Sequence, residues 1–432
     1  MIQGIINRLG KDQWELIRGG STAFIVRILG ILLLYILTLF ITNNFGAVVY
    51  GEFTFFQLSL KILSILSIAG IDAYLLRYIS EKPIKANIQN LNNQGSVSVF
   101  VNSIILIGLL FLIGSNFYHY FFTERIYLIL LMICLFPFAI IKINTESFRA
   151  LKKSLAYSLY EYGLIPLLTI LILFIIHKTD FIENHQPTIA YTAALIFIFC
   201  LSLIQWQFPN LKTIVKNFRK HLIEIPKTNK KSFPFLIAGS ILFIGQWTIS
   251  FILKYFEGSA ALGNFDAALK IAYLLMIPLT AASVIAAPIF SKRFSDAKEE
   301  NLKSILKFIT NGVFLITLPL SLIIFYFSSE LMALYGPEFV ESGNILKIIV
   351  VGIFFNAITG PIAIFLQMTE NQSTVQNVFF IATLLNIALA FFLIPIYGIE
   401  GAAWANLIFQ IFVNGVLLYY VYRKFGYLSF GV

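Results

Sequence analysis

Apolar positions in this chain neither alternate nor trace a single helical face. They form long unbroken runs separated by short polar or basic tracts. A helix needs about 20 apolar residues to cross a hydrocarbon layer. Twelve runs reach that length, at 20–42, 50–72, 96–115, 126–146, 156–177, 189–207, 234–255, 265–288, 306–327, 344–367, 376–395 and 400–421. They are too long for barrel strands and lack a period of two, so the pattern predicts an all-α integral membrane protein with twelve transmembrane helices. The connections leave no room for a soluble domain. Ahead of the first run, Ile2, Ile5, Ile6, Leu9 and Trp14 recur at helical spacing, which predicts a short amphipathic helix on the membrane surface. The first run is too long for a signal h-region and lacks a small-residue cleavage site, so it is expected to be retained.

Composition narrows the class. Of 432 residues, 59% are apolar and 12% charged, against about 25% charged in a soluble domain. With a mean hydropathy of +0.85, this excludes a soluble enzyme, a disordered chain and a nucleic-acid binder. The net charge of +10 has a simpler source than nucleic acid. Of 31 basic residues, 23 fall on one alternating set of connections, seven of them in 209–233. That bias predicts cytoplasmic termini and a cytoplasmic 209–233 segment, with attraction to anionic membrane lipids. Cys134 and Cys200 lie inside apolar runs, which argues against a disulfide scaffold.

The basic segment divides the chain into an N-terminal six-helix bundle (1–208), a cytoplasmic linker (209–233) and a C-terminal six-helix bundle (234–432). The halves share sequence. GAVVYGEF at Gly46–Phe53 matches GSAALGNF at Gly258–Phe265, and AYTAALIF at Ala190–Phe197 matches AAWANLIF at Ala402–Phe409, both at an offset of 212 residues. Six spans per half gives parallel repeats related by an axis along the membrane normal, the architecture of a transporter with a central cavity. Gly51 and Gly263 stand where one helix must start close to another. Pro166, Pro278 and Pro361 lie within spans and are expected to kink them.

Longer stretches resemble the polysaccharide and O-antigen flippase (Wzx-like) family, within the group that includes multidrug extruders and lipid II flippases. They are NFGAVVYGEF (Asn44–Phe53), GIDAYLLRYIS (Gly70–Ser80), LGNFDAALKIAYLL (Leu262–Leu275), APIFSKRFSD (Ala287–Asp296), LYGPEFVESGNILKI (Leu334–Ile348), FFNAITGPIAIFLQMTENQ (Phe354–Gln372) and LIPIYGIEGAAWAN (Leu393–Asn406). These turn and packing signatures cover both halves. Lipid II flippases usually have fourteen spans, so twelve favours the polysaccharide branch. The resemblance implies a bacterial inner-membrane flippase for an oligosaccharide on polyprenyl diphosphate, working beside glycan polymerase and chain-length machinery.

Enzyme and cofactor signatures do not appear. The Gly-x4-Gly strings are followed by Glu52 and Asn264, so neither forms a Walker A loop. No metal motif is present, and His119, His177, His185 and His221 fall at or beyond span ends, where solvated positions are expected. Polytopic glycan polymerases, the rival from another class, usually carry a large outer loop, whereas the longest here is 328–343. No cofactor or metal is expected.

Charge inside the hydrocarbon costs about 2.5–3.5 kcal/mol per residue on insertion scales and marks function by default. Lys61 lies about eleven residues, roughly 16 Å, from either end of its span, beyond the reach of about 6 Å available to a snorkelling lysine. Lys270 lies about five residues inside its own span and one turn from the repeat equivalent of Lys61. Arg27 completes a cationic set suited to a diphosphate. The alternatives are structural pairing or snorkelling, and for Lys142 a local pair with Glu146 or snorkelling is expected. Asp72, Glu161 and Asp266 are candidate acids for proton or sodium coupling. A multidrug or cation extruder of the same fold would favour buried carboxylates over these lysines.

Overall fold

The computed structural model describes residues 11–81, 85–117, 122–178, 183–295, 299–426 and 429, and every regular element among them is helical. Among the described residues, nine helical stretches are long and apolar enough to cross a membrane. Three of them, Ile25–Ile68, Trp247–Ser291 and Gln372–Phe425, are double. Each reverses at a glycine with positive φ, namely Gly46 (φ 77°), Gly258 (φ 82°) and Gly398 (φ 57°). Six single and three double stretches give the twelve crossings. A reversal without a loop keeps almost every backbone group hydrogen-bonded within the helices, as a hydrocarbon environment demands.

The elements run α1 (Lys11–Ile68), α2 (Ile71–Glu81), α3 (Lys85–Phe117) and α4 (Arg125–Ala150), then α5 (Ser154–Ser158), a π-turn (Leu159–Gly163) and α6 (Leu164–Ile176). They continue with α7 (Gln186–Trp206), α8 (Leu211–Ala272), α9 (Met276–Ser295), α10 (Glu299–Tyr326) and α11 (Ser328–Ala333). The last three are α12 (Gly343–Ile358), α13 (Ile362–Met368) and α14 (Gln372–Phe425). Pro166 and Pro278 fall in the first turns of α6 and α9, and Pro361 caps α13. Each follows an irregular turn: the π-turn, a 3-10 turn at Tyr273–Leu275, and Gly360 (φ 75°). The prolines therefore start new helices, where a missing N–H costs nothing. The proposed surface helix lies largely outside the described residues, since Ile2, Ile5, Ile6 and Leu9 precede Lys11.

The chain forms two compact units, one of residues 1–40 and 56–239, the other of 41–55 and 240–432. In the first, a closed amide knot ties α3, α4 and the end of α7. Asn92 donates to Asn144 (3.1 Å), Asn144 to Gln207 (3.1 Å), and Gln207 back to Asn92 (3.1 Å). Asn144 also reaches Ser202 (3.3 Å). In the second, Asn356 donates to Gln410 (3.1 Å) and Thr359 to Asn414 (3.3 Å). Asn144, Ser147 and Ser202 map onto Asn356, Thr359 and Asn414 at the 212-residue offset. The repeat thus extends from the glycine turns to the polar glue that holds membrane helices together. Burial repeats as well: Ala190, Tyr191, Ala194 and Leu195 are buried, as are Ala402, Ala403, Asn406 and Leu407. The second unit also has an aliphatic-aromatic core around Phe290, Leu302, Phe365 and Leu417.

Candidate functional site

The first unit gathers its membrane charges around the π-turn. Such a turn widens the helix by one residue and shifts the register that follows, a feature frequent at functional sites. Glu161, inside it, accepts from Lys142 Nζ at 2.5 Å, with the two side chains 19% and 32% exposed. The expected partner of Lys142, Glu146, pairs instead with Arg149 (3.4 Å). Asp72, Glu146, Glu161 and Lys142 lie within electrostatic reach of one another. Aromatic rings complete the cluster. Arg149 lies over Tyr157 (5.4 Å), Tyr157 meets Tyr162 edge-on (6.4 Å), and Arg27 lies over Tyr162 (5.1 Å). Three of the singled-out residues, Arg27, Asp72 and Glu161, therefore belong to one cluster.

Asp72 is not at the end of a span. The chain reverses at Ala69 (φ 52°) and Gly70 (φ 76°), so span two ends at Ile68 and Asp72 opens α2. A carboxylate there complements the helix dipole. The earlier end also corrects the depth of Lys61. It lies seven residues before Ile68, about 10 Å rather than 16 Å, still beyond its own reach of about 6 Å. Lys61 is half-buried and belongs to the first unit.

The second unit holds two tighter networks. Lys254 donates to Glu52 and Ser259, Ser259 donates to Glu52, and all three are buried. Nearby, Tyr50 donates to Asp266, Lys270 Nζ donates to Tyr50 (2.6 Å), and Lys270 pairs with Asp266 (3.1 Å). Two singled-out residues, Asp266 and Lys270, are thus partners. Their depth differs from expectation because span eight starts directly after Gly258, not near 265. Lys270 then lies about twelve residues, roughly 18 Å, from that turn, too deep to snorkel.

The same helices cross at glycines. A Cβ on Gly51 would lie 1.8 Å from the Ser259 carbonyl oxygen, and one on Gly263 would lie 2.4 Å from that of Ala47. Ala47 and Ser259 are repeat equivalents, so the contact is reciprocal. Beside it, the Glu338 carboxylate accepts from the Ala47 amide (2.9 Å) just past the Gly46 turn, where a helix N-terminus favours an anion.

Sequence reasoning missed the Glu52–Lys254 pair. Lys254 reads as a boundary residue, and its partner is 202 positions away. The available signal was Glu52 itself, a carboxylate inside an apolar run, which calls for a partner. The histidines also depart from the solvated expectation: His185 is buried and meets Glu124 (3.0 Å), and His221 is buried. His119 lies outside the described residues. Among the described residues no group of three or more His, Cys, Asp or Glu is placed to hold a metal.

Residues 234–392 match the family model described as MatE. No curated protein matches the chain. Among solved structures, the chain resembles the lipid II flippase MurJ in an inward closed conformation, with 15% identity, a TM-score of 0.69 and coverage of 94% of this chain and 87% of that one. It also resembles a multidrug resistance MATE family transporter of the MOP superfamily in its inward-facing conformation (14%, TM-score 0.66, 93% and 98%). A third is a MOP superfamily transporter from Pyrococcus furiosus, described as having a binding pocket of reverse polarity (14%, TM-score 0.60, 94% and 95%). The chain therefore has the fold of MOP superfamily transporters, twelve helices in two repeats.

Proposed function

We propose that this protein is a flippase that moves an oligosaccharide on polyprenyl diphosphate from the inner to the outer leaflet of a bacterial cytoplasmic membrane by alternating access. The observation that carries the reading is Arg27, within a membrane-spanning helix, its guanidinium carbon 5.1 Å from the centroid of the Tyr162 ring. A guanidinium held over a ring still offers N–H groups that donate to phosphate oxygens. Lys61, deep in the same unit, supplies the second cation. Lys270 is held by Asp266 and Tyr50, so its engagement with phosphate requires that pair to open. Protonation of Asp266 would release it, which couples substrate capture to an acid.

Rocking of 1–208 against 234–432 then exposes the head group outside, and the lipid tail stays in the bilayer. An inside-negative potential favours anion exit by about 2.3 kcal/mol per charge per 100 mV. The protein carries out no covalent chemistry in this scheme. Glycan polymerase and chain-length machinery consume the product.

The test is Lys61→Ala together with Arg27→Ala, scored by accumulation of lipid-linked glycan in the inner leaflet. Both variants should insert normally, since their spans become more apolar, and both should lose export. Lys61→Arg should retain part of it, and Lys61→Glu should fall below alanine. Normal export by well-folded Lys61→Ala would sink the cationic-site reading. The three acids Asp72, Glu146 and Glu161 favour the rival extruder. Under that reading Glu161→Gln abolishes drug resistance and Arg27→Ala leaves it intact.

Orientation has its own test. A cysteine at exposed Glu341 should label from outside, and one at exposed Lys230 should not. The opposite pattern reverses the direction of transport.

A further inference from the structure

The first part of α8, residues 211–233, is too polar to span and docks on the first unit. Ser232 donates to the Ala69 carbonyl (2.7 Å), and Gln94 donates to Thr228 (2.7 Å) and Glu224 (3.1 Å). Docking through Thr228 and Ser232 leaves Lys227 and Lys231, one turn apart, exposed along the rim. Opposite them α2 offers Tyr74, Arg77 and Tyr78, spaced to share a face. Two adjoining cavities of about 250 and 280 Å³ lie here and share Tyr74, Tyr78 and Lys231. Lys227 and Glu224 line the first, and Arg77 and Phe235 line the second. The residues lining the two cavities thus include three cations, Arg77, Lys227 and Lys231, and one carboxylate, Glu224, which accepts from Gln94.

We propose that this cleft binds the phosphate of an anionic phospholipid from the leaflet on its own side, a site separate from the transport cluster. Arg77, Lys227 and Lys231 hold the phosphate. Glu224 accepts from the hydroxyls of a glycerol head group, and Asn90, which also lines the first cavity, donates to them. A lipid fits better than a free phosphate because the cleft has an aromatic wall, Tyr74 on Phe235 (6.4 Å). Exposed Phe233 and Ile237 follow on the next turn of α8 and offer a path for an acyl chain. Aromatic side chains with adjacent lysines are the usual residents of the head-group level.

The test uses the purified full chain in phosphatidylcholine nanodiscs titrated with phosphatidylglycerol, with bound lipid counted by native mass spectrometry. Lys227→Gln/Lys231→Gln should weaken binding about 25-fold, at about fivefold per lysine. Lys212→Gln/Lys216→Gln removes equal charge from the same helix outside the cleft and should change it less than twofold. Arg77→Gln, on a different element, should weaken it about fivefold. Equal losses in the two lysine pairs would reduce the effect to a diffuse field and overturn the site. Displacement of the lipid by millimolar inorganic phosphate or glycerol 3-phosphate would identify a soluble-phosphate site and overturn the lipid assignment.

Discussion

Two charged sites, Glu52–Lys254 in the second unit and Lys142–Glu161 in the first, treat membrane charge in opposite ways. In the second unit, Glu52 and Lys254 are 2% and 6% exposed and pair with each other and with Ser259. In the first, Lys142 and Glu161 are 32% and 19% exposed and share their surroundings with two further acids, Arg149 and Arg27. A sealed pair is a fastener, because opening it strands a charge. A partly open cluster can exchange partners with a substrate or an ion at small cost, which is what a transport site must do. The fasteners also explain why 41–55 groups with 240–432. The glycine crossing, Glu52–Lys254, Tyr50–Asp266 and Glu338–Ala47 all bind that short stretch.

The largest expected effect breaks the fastener. Lys254→Ala should lower stability by about 3–5 kcal/mol, because Glu52 is left buried without its counter-charge, and thermal unfolding in detergent reads the loss. Glu52→Leu/Lys254→Met should recover most of it, since replacing both partners with apolar groups removes the stranded charge. If the single and double variants unfold alike, the pair is not the clamp that holds 41–55 against the rest of the second unit.

Next is the glycine crossing. Gly51→Ala places a methyl 1.8 Å from the Ser259 carbonyl. The helices must separate, which should cost about 1–3 kcal/mol as overpacking does. Gly163→Ala, at the π-turn of the first unit, meets nothing nearer than 3.8 Å and should stay within about 0.5 kcal/mol. Equal destabilisation by the two would remove the contrast between the Gly51 crossing and the Gly163 position.

Smaller still is the stability effect at the open cluster. Lys142→Ala should cost about 1 kcal/mol or less, as partly exposed pairs do, yet should alter transport if the cluster is the working site. A variant as unstable as Lys254→Ala would make Lys142 another fastener.

Much of this fold was legible because the hydrocarbon constraint acts on the sequence directly. Apolar runs fix the spans, and a reversal between two adjoining spans needs the glycine that GAVVYGEF and GSAALGNF display. Span edges were less legible. Charged residues such as Glu52 and Asp266 look like loop markers until their partners are seen, so span eight was read as starting near 265 rather than at 259. Partner choice was least legible. Lys142 has Glu146 one turn away, and a regular helix makes that the expected pair. The π-turn, which no single residue of LYEYG announces, brings in Glu161 from the next span instead. Tyr50, Asp266 and Lys270 meet across more than 200 positions, a distance that periodicity cannot bridge.

The smallest expected effect is a pH dependence confined to the docked part of α8. His221 is buried there with both ring nitrogens lacking a hydrogen-bond partner among the described residues. Burial holds its pKa below the usual imidazole range; Glu224 opposes that shift and Lys220 adds to it. A histidine whose folded pKa is depressed leaves stability intact above its unfolded value, about 6.5. Stability is then lost as pH falls through the lower folded value, because the unfolded state binds the proton more readily. Protection factors for hydrogen exchange across 211–233, taken against the intrinsic rate at each pH, should therefore fall below about pH 6.5, while those around Asn144 and Asn356 stay high. His221→Phe, which keeps the ring and removes the titration, should flatten the profile. An unchanged acid response in that variant would rule out His221 as its source.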